Sequence, residues 1–400
     1  MCSIGDIQHL FSHPIVSTFN TYSQKVFRDI ASCHTEAKGK HVYKCDNASC
    51  GHIHYQYHSC GNRHCIFCGS NKRDDWVEKL TADLLPTSYY HVVFTVPHEL
   101  NGLMMGNRKV LFTLLFDSAK DTLLTFSKDK KYLGGTVGVT GVLHTWGQEL
   151  NFHPHIHCIV SGGGIDEAGK WIEPKRKEET FLFPVQAMKI VYRAIFLKRL
   201  RKMIKLTKLK TDGIDIPEIL KQVSVKTWNV YAKAPFKDVN AVVEYLGRYT
   251  HKVALSHHRI KAITDTHVSF NYKDYQDNHK QKVLTITKEE FLRRMEQHVL
   301  PKRYVKIRHY GYLQNHGKKK KIEAIKEQLQ IKSKPIIKIP IELKMLERYQ
   351  IDILKCRKCN TGKYQLMEVF KTGRCTEAIV EVSAIIKSIP NKAPPNRLQL

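Results

Sequence analysis

His153, His155 and His157 alternate along the run His153-Pro154-His155-Ile156-His157. An extended strand has a period of two, so the three imidazoles would share one face and could bind one metal ion together. Tyr245 and Tyr249 stand four residues apart, a spacing that turns both phenols to one side of a helix. A divalent ion polarises a phosphate and stabilises the charge that builds up as it is cleaved. A phenol, with an ordinary pKa of ~10, becomes a nucleophile once a metal, a base or a cation ionises it. Arg248, His251 and Lys252 lie close enough in sequence to help. Such residues together can cut a phosphodiester and keep the cut end on the protein. His155 and His157 are the expected ligands, with His153, Gln148, Glu149 and His91 as candidates for a third position. Imidazoles suit Mn²⁺ or Zn²⁺, or Mg²⁺ when oxygen ligands are added. In a chain with 18 tyrosines, two at helical spacing would alone be a packing stripe; the histidine run gives them a second use.

The chain has 11 cysteines, and six of them, Cys33, Cys45, Cys50, Cys60, Cys65 and Cys68, fall within one short stretch. No basic segment followed by an apolar run opens the sequence, so this density reads as metal binding under reducing conditions and not as disulfides. Zinc takes four thiolate or imidazole ligands in a tetrahedron. Cys45 with Cys50 and the tighter Cys65-Ile66-Phe67-Cys68 make the preferred set. Cys33, His41, Cys60 and His64 make a second. Far downstream, Cys356 and Cys359, with Cys375, resemble half a site lacking a fourth ligand.

These residues need elements to position them. Periodicity predicts a helix over residues 7–31 interrupted at Pro14, a helix over Asn71–Leu85 and a strand over Tyr89–Val96. A helix over Arg108–Phe126 and two neighbouring strands, Thr136–Trp146 and Phe152–Ser161, follow. Gly162-Gly163-Gly164 is expected to turn the chain. Beyond it come a basic amphipathic helix over Val185–Leu209, a shorter helix over Asp238–Lys252, and a hairpin from Val268–Tyr272 and Lys282–Ile286. The irregular mixture, without a βαβ rhythm, predicts an α+β fold with an antiparallel sheet. The expected regions are 1–75, with the cysteines; 86–260, with the histidines and tyrosines; and a basic 261–400.

Lys and Arg outnumber Asp and Glu by 65 to 37, giving a net charge of +28. The cations cluster, as in Lys198-Arg199-Leu200-Arg201-Lys202 and in Lys318 to Lys321. Clustered positive charge calls for a polyanionic partner, of which nucleic acid is the commonest. No apolar run approaches the ~20 residues of a membrane span, and the expected location is the cytoplasm, in association with the nucleoid.

HTWGQELNFHPHIHCIVSGGG (144–164), EYLGRYTHKVALSHHRI (244–260) and FLRRMEQHVLPKRYVKIRHYGYL (291–313) resemble the two-tyrosine HUH transposases of rolling-circle insertion sequences. YHSCGNRHCIFCG (57–69) resembles their N-terminal zinc-binding domain. The resemblance implies a small zinc-binding domain followed by a ferredoxin-like HUH endonuclease core, with the His155/His157 strand at the centre of an antiparallel sheet. It implies single-stranded DNA at the ends of the element and at its target as substrate, structural Zn²⁺, and Mg²⁺ or Mn²⁺ at the histidines. Tyr245 and Tyr249 would be the nucleophiles, with Tyr249 in the RYTH segment leading. The product would be a 5′-phosphotyrosine and a free 3′-hydroxyl, without ATP. Arg248, Lys252, Arg303 and Arg308 are the expected DNA contacts. The Cys45–Cys50 knuckle is longer than the CxxC usual at that place in the family.

Three other readings compete. Plasmid replication initiators and conjugative relaxases share the chemistry, but the zinc module and the RYTH and RIRHYG segments favour the transposase branch. A non-enzymatic zinc-dependent DNA-binding protein accounts for the charge and the cysteines but leaves the histidine strand without a task. A histidine-triad nucleotide hydrolase fits HPHIHCIV but needs neither zinc nor tyrosines.

Overall fold

A computed structural model describes residues 3–68, 80–174, 182–236, 241, 242, 245, 247, 253–331 and 339–371. In chain order the helices among them are α1 (Ile4–Leu10), α2 (Thr21–Ala31), α3 (Asn101–Gly106), α4 (Arg108–Lys128), α5 (Val185–Lys205), α6 (Ile216–Val225), α7 (Lys288–Gln297), α8 (Lys318–Gln328) and α9 (Ile341–Tyr349). The strands are β1 (Gly39–Cys45), β2 (Ile53–Tyr57), β3 (Tyr89–Thr95), β4 (Thr136–Trp146), β5 (Phe152–Ile165), β6 (Trp171–Ile172), β7 (Val230–Ala232), β8 (Ile260–Ile263), β9 (His267–Asp274), β10 (Lys280–Thr287), β11 (Ile307–Tyr310) and β12 (Tyr364–Lys371). The chain divides into two compact units, Met1–Ala31 with Gly61–Ile336, and Ser32–Cys60 with Ile337–Leu400.

The larger unit is α+β. Its sheet runs β11-β4-β5-β3-β7 with every neighbouring pair antiparallel, and β6 pairs with β5. The histidine strand β5 is therefore central, as expected. Its side chains divide by the period of two: Phe152, Pro154, Ile156 and Cys158 are buried, whereas His153, His155 and His157 are partly accessible. Ile156, Cys158 and Val160 join Phe94 of β3, Phe112 and Leu115 of α4, and Tyr192 and Phe196 of α5 in the main core. Tyr192 is wedged there, its ring 5.0 Å from Phe94 and 5.3 Å from Trp228. Each such buried side chain contributes roughly 1.5–3 kcal/mol through loss of apolar contact with water. On the histidine side, Leu80, Tyr89, Ile159 and Val242 form a smaller cluster with Tyr245 against it.

The glycine triplet does not turn the chain: β5 continues to Ile165. A Cβ on Gly163 would overlap the Trp171 indole, so these glycines permit close packing inside the strand. The expected hairpin is β9–β10, in unbroken register from His267↔Thr287 to Asp274↔Lys280. The break at Pro14 separates α1 from α2 through a short 3₁₀ turn. The expected helix over Asn71–Leu85 falls mostly outside the described residues, as do Arg248, Tyr249, His251 and Lys252. Tyr245 and Gly247 are described and helical. No helix among the described residues is long and apolar enough to cross a membrane.

In the smaller unit β1 lies between β12 and β2, with Cys45 opposite Tyr364. The cysteine-rich segment is thus completed by a strand from the far end of the sequence. Its buried cluster consists of Cys45, Cys356 and Tyr364, flanked by Tyr43, Cys50 and Cys359. Apolar side chains are too few there to form a core without help.

Candidate active site and metal centres

Three imidazoles converge on one face of the central sheet. His155 and His157 come from β5, and His144 comes from β4, where it is the cross-strand partner of His155. One nitrogen from each lies within 4.8 Å of the others, and His155 Nε2 is 3.1 Å from His157 Nε2. Two nitrogens held about 2.1 Å from one ion at a right angle would stand ~3.0 Å apart, so this pair fits a shared divalent cation. Burial lowers the His155 pKa to about 4, which keeps the ring neutral and its lone pair free to bind metal at pH 7. His155 Nδ1 donates to the His153 carbonyl at 2.6 Å, leaving Nε2 as the ligand atom.

Of the expected third ligands, neither His153 nor Gln148 joins this group. The His153 ring stands beside that of His155, centroids 5.1 Å apart, while Gln148 donates to the Tyr275 hydroxyl at 3.1 Å. His144 takes the place instead, stacked on Trp146 with centroids 4.6 Å apart. Sequence spacing misses it because only the β4–β5 register brings it opposite His155.

His91 of β3 is 2.9 Å from His157 Nδ1, on the ring edge opposite the His155 contact. Burial lowers its pKa to about 3, so it is neutral. The Tyr245 hydroxyl lies 2.6 Å from His91 Nε2 and 3.2 Å from His157 Nδ1. With His157 Nε2 turned to the metal position, its Nδ1 carries the proton. The phenol then donates to His91 and accepts from His157.

Behind this site His298 is fully buried, with Nε2 donating to the Leu150 carbonyl at 3.1 Å and Nδ1 facing the Thr145 hydroxyl at 3.2 Å. Burial holds its pKa down to about 4. The folded value is below the unfolded value of ~6.5, so the unfolded chain binds more protons between the two. Its contribution is complete above pH ~6.5 and declines as pH falls toward 4, by about 1.4 kcal/mol per unit. Urea midpoints at pH 7, 5.5 and 4.5 are expected to fall more steeply for the native chain than for His298→Gln; parallel lines would refute this.

The cysteines pair differently from the expected sets. Cys45 and Cys50 join Cys356 and Cys359, not Cys65 and Cys68. The Cys45–Cys359 sulfurs are 3.7 Å apart and the Cys50–Cys356 sulfurs 3.9 Å. A Zn–S bond of ≈2.3 Å in a tetrahedron gives an edge of ~3.8 Å, so the set fits zinc. Hydrogen bonds from the Thr361 side chain and the Gly362 and Thr361 amides lower the Cys359 pKa to about 5, favouring the thiolate a metal needs. Of the second expected set, Cys33 and Cys60 stay together in the smaller unit, where the Cys60 amide donates to Cys33 Sγ at 3.3 Å. His41 and His64 are engaged elsewhere: His41 Nδ1 lies 2.9 Å from His58 Nε2, and half-buried His64 accepts the Leu300 amide at 3.0 Å.

Among the expected DNA contacts, Arg303 is exposed. Arg308 is half-buried: it donates to the Tyr304 and Thr113 hydroxyls at 3.1 and 3.2 Å and lies 4.4 Å over the Phe116 ring. Tyr304 is buried in the core, and Arg308 lies beside it.

Residues 138–321 match a family described as a putative transposase, and residues 6–96 match a transposase zinc-binding domain of the IS91 type. Putative transposase y4qJ of Sinorhizobium fredii (strain NBRC 101917 / NGR234) is 35% identical over 367 residues, covering 88% of this chain and 91% of the relative. This chain belongs to the IS91-type transposase family. The transposase for insertion sequence element IS801 of Pseudomonas savastanoi pv. phaseolicola is 30% identical over 293 residues, 71% of this transposase and 68% of its relative. No solved structure matches the chain. The zinc-binding match contains Cys33, Cys45, Cys50, Cys60, Cys65 and Cys68, and the putative-transposase match contains His144, His155, His157 and Tyr245.

Proposed function

We propose that this transposase nicks and rejoins single-stranded DNA through a 5′-phosphotyrosine, mobilising its insertion sequence by a rolling-circle route. The observation that carries the reading is the Tyr245 hydroxyl, in contact with both His91 and a histidine of the three-imidazole group. His144, His155 and His157 would hold Mg²⁺ or Mn²⁺, which when bound polarises the scissile phosphate. His91 Nε2 takes the phenol proton, and the Tyr245 oxygen attacks phosphorus. The P–O3′ bond breaks, the 3′ oxygen leaves and takes up the proton that His91 releases, and the 5′ phosphate remains esterified to tyrosine. Rejoining reverses these steps with a different 3′-hydroxyl, so the energy of the bond is conserved. Tyr249 is proposed as the second nucleophile, and Arg248, Lys252 and Arg303 as contacts to DNA phosphates. The location proposed is cytoplasmic, at the nucleoid.

Single-stranded oligonucleotides from the DNA flanking the gene would be incubated with the protein and Mg²⁺ or Mn²⁺, and covalent adducts scored by gel. A metal-dependent adduct is expected from the native chain and none from Tyr245→Phe/Tyr249→Phe. The two single variants identify which phenol forms the first bond. An adduct that survives the double substitution would refute the tyrosine chemistry, and salt-sensitive binding with no adduct on any strand would favour a binding protein.

A further inference from the structure

Helix α5 is cationic in a way the histidine site does not use. From Val185 to Lys210 the sequence has nine Lys and Arg and no Asp or Glu. Met188, Tyr192, Phe196 and Leu200 recur at helical spacing and bury against the sheet. That stripe leaves Lys198, Arg201, Lys202 and Lys205 exposed on the outer side. Among the described residues none of these four has an acidic partner; the ion pair on this helix is between Arg199 and Asp121. Arg201 donates to Ser224 of α6 at 2.9 Å, which anchors the row without neutralising it.

The position of the row is informative. α5 packs on the sheet face carrying Phe94, Ile156, Cys158 and Val160, whereas His155 and His157 project from the other face of β5. The outer side of α5 is separated from the histidines by the sheet and by a helix of ~10 Å diameter. The row also lacks what a single-strand groove has: the exposed large side chains on α5 include Ile190 but no aromatic ring for a base to stack on.

We propose that the outer face of α5 binds the phosphate backbone of duplex DNA, holding the double-stranded flank of the element while single-stranded DNA is processed on the opposite face. This extends the functional reading but does not depend on the tyrosine chemistry, because it is read by binding alone. The probes are a labelled 30-base-pair duplex and a 30-nucleotide single strand, titrated with the full chain, zinc present, by fluorescence anisotropy at several salt concentrations. Lys198→Gln, Arg201→Gln, Lys202→Gln and Lys205→Gln combined is expected to weaken duplex binding at least tenfold. The log–log salt slope should shrink by about 3.6, at ~0.9 for each of four lost phosphate contacts. Single-strand affinity should change less than threefold. A control with Lys198, Lys202 and Lys205 replaced by Arg should keep duplex binding, and circular dichroism and zinc content should match the native chain. Unchanged duplex affinity, as expected if the face serves an acidic protein, would overturn the proposal. So would equal losses on both probes.

Discussion

Replacing His155 and His157 together with alanine is expected to lower covalent adduct formation at least a thousandfold while DNA affinity stays within a few fold. A thousandfold loss corresponds to about 4 kcal/mol of transition-state stabilisation, the range expected when an ion that polarises a phosphate is removed. Both rings offer Nε2 to one point, 3.1 Å apart. No carboxylate joins the group among the described residues, so the imidazoles would carry the binding. The same geometry separates three single variants. His144→Ala should approach the double variant, because His144 belongs to the three-nitrogen group, whereas His153→Ala should remain close to native. His91→Ala should spare Mn²⁺ affinity but slow adduct formation, because His91 faces the phenol and not the metal position. Isothermal titration with Mn²⁺ beside the adduct assay would separate the two losses. Full adduct yield from the double variant would end the metal-histidine reading, and loss of DNA binding in parallel would point to a fold defect.

What was legible in the sequence was what repeats locally. The period of two puts His153, His155 and His157 on one face of β5, and the apolar side chains between them mark the face turned to the core. α4 runs Arg108–Lys128 against an expected Arg108–Phe126, because helical periodicity and a run of apolar residues coincide there. Contacts formed across long separations were not legible. His144 joins His155 and His157 only through antiparallel register with His155, and His91, a candidate metal ligand in the sequence, is set by the β3–β5 pairing against Tyr245 instead. Glycine chemistry misled: Gly162-Gly163-Gly164 has turn composition, yet close packing against Trp171 explains Gly163 inside a continuous strand. Nor does a cation in a basic segment announce its neighbours: Arg308 bonds the Tyr304 hydroxyl and lies over the Phe116 ring. Cys356 and Cys359 look like half a site in the sequence because their partners lie some three hundred residues earlier, at Cys45 and Cys50.

That last pairing has the second large consequence. Cys356→Ser is expected to remove one zinc per chain and to unfold the smaller unit while the larger one keeps its structure. The buried cluster there is composed of cysteines and tyrosines, with no aliphatic side chain in it, so the metal stands in for a hydrophobic core. Structural zinc of this kind contributes on the order of 10 kcal/mol in peptides whose folding depends on it. The small three-stranded sheet has no comparable source of stability. Losing one thiolate of four leaves an open coordination position and lowers affinity steeply, and chelation of the native chain should reproduce the outcome. Zinc would be measured by mass spectrometry of the intact protein under non-denaturing conditions. Hydrogen exchange would be followed at Gly39–Cys45 and Tyr364–Lys371, the paired strands whose amide bonds should lose protection. Cys158→Ser supplies the contrast: Cys158 is buried in the main core, 2% exposed, and among the described residues is not grouped with other metal-binding side chains, so zinc content should not change. If Cys356→Ser retained its full zinc and β1 and β12 stayed protected, the four-cysteine set would not be a metal site. The earlier pairing of Cys45 and Cys50 with Cys65 and Cys68 would then have to be reconsidered.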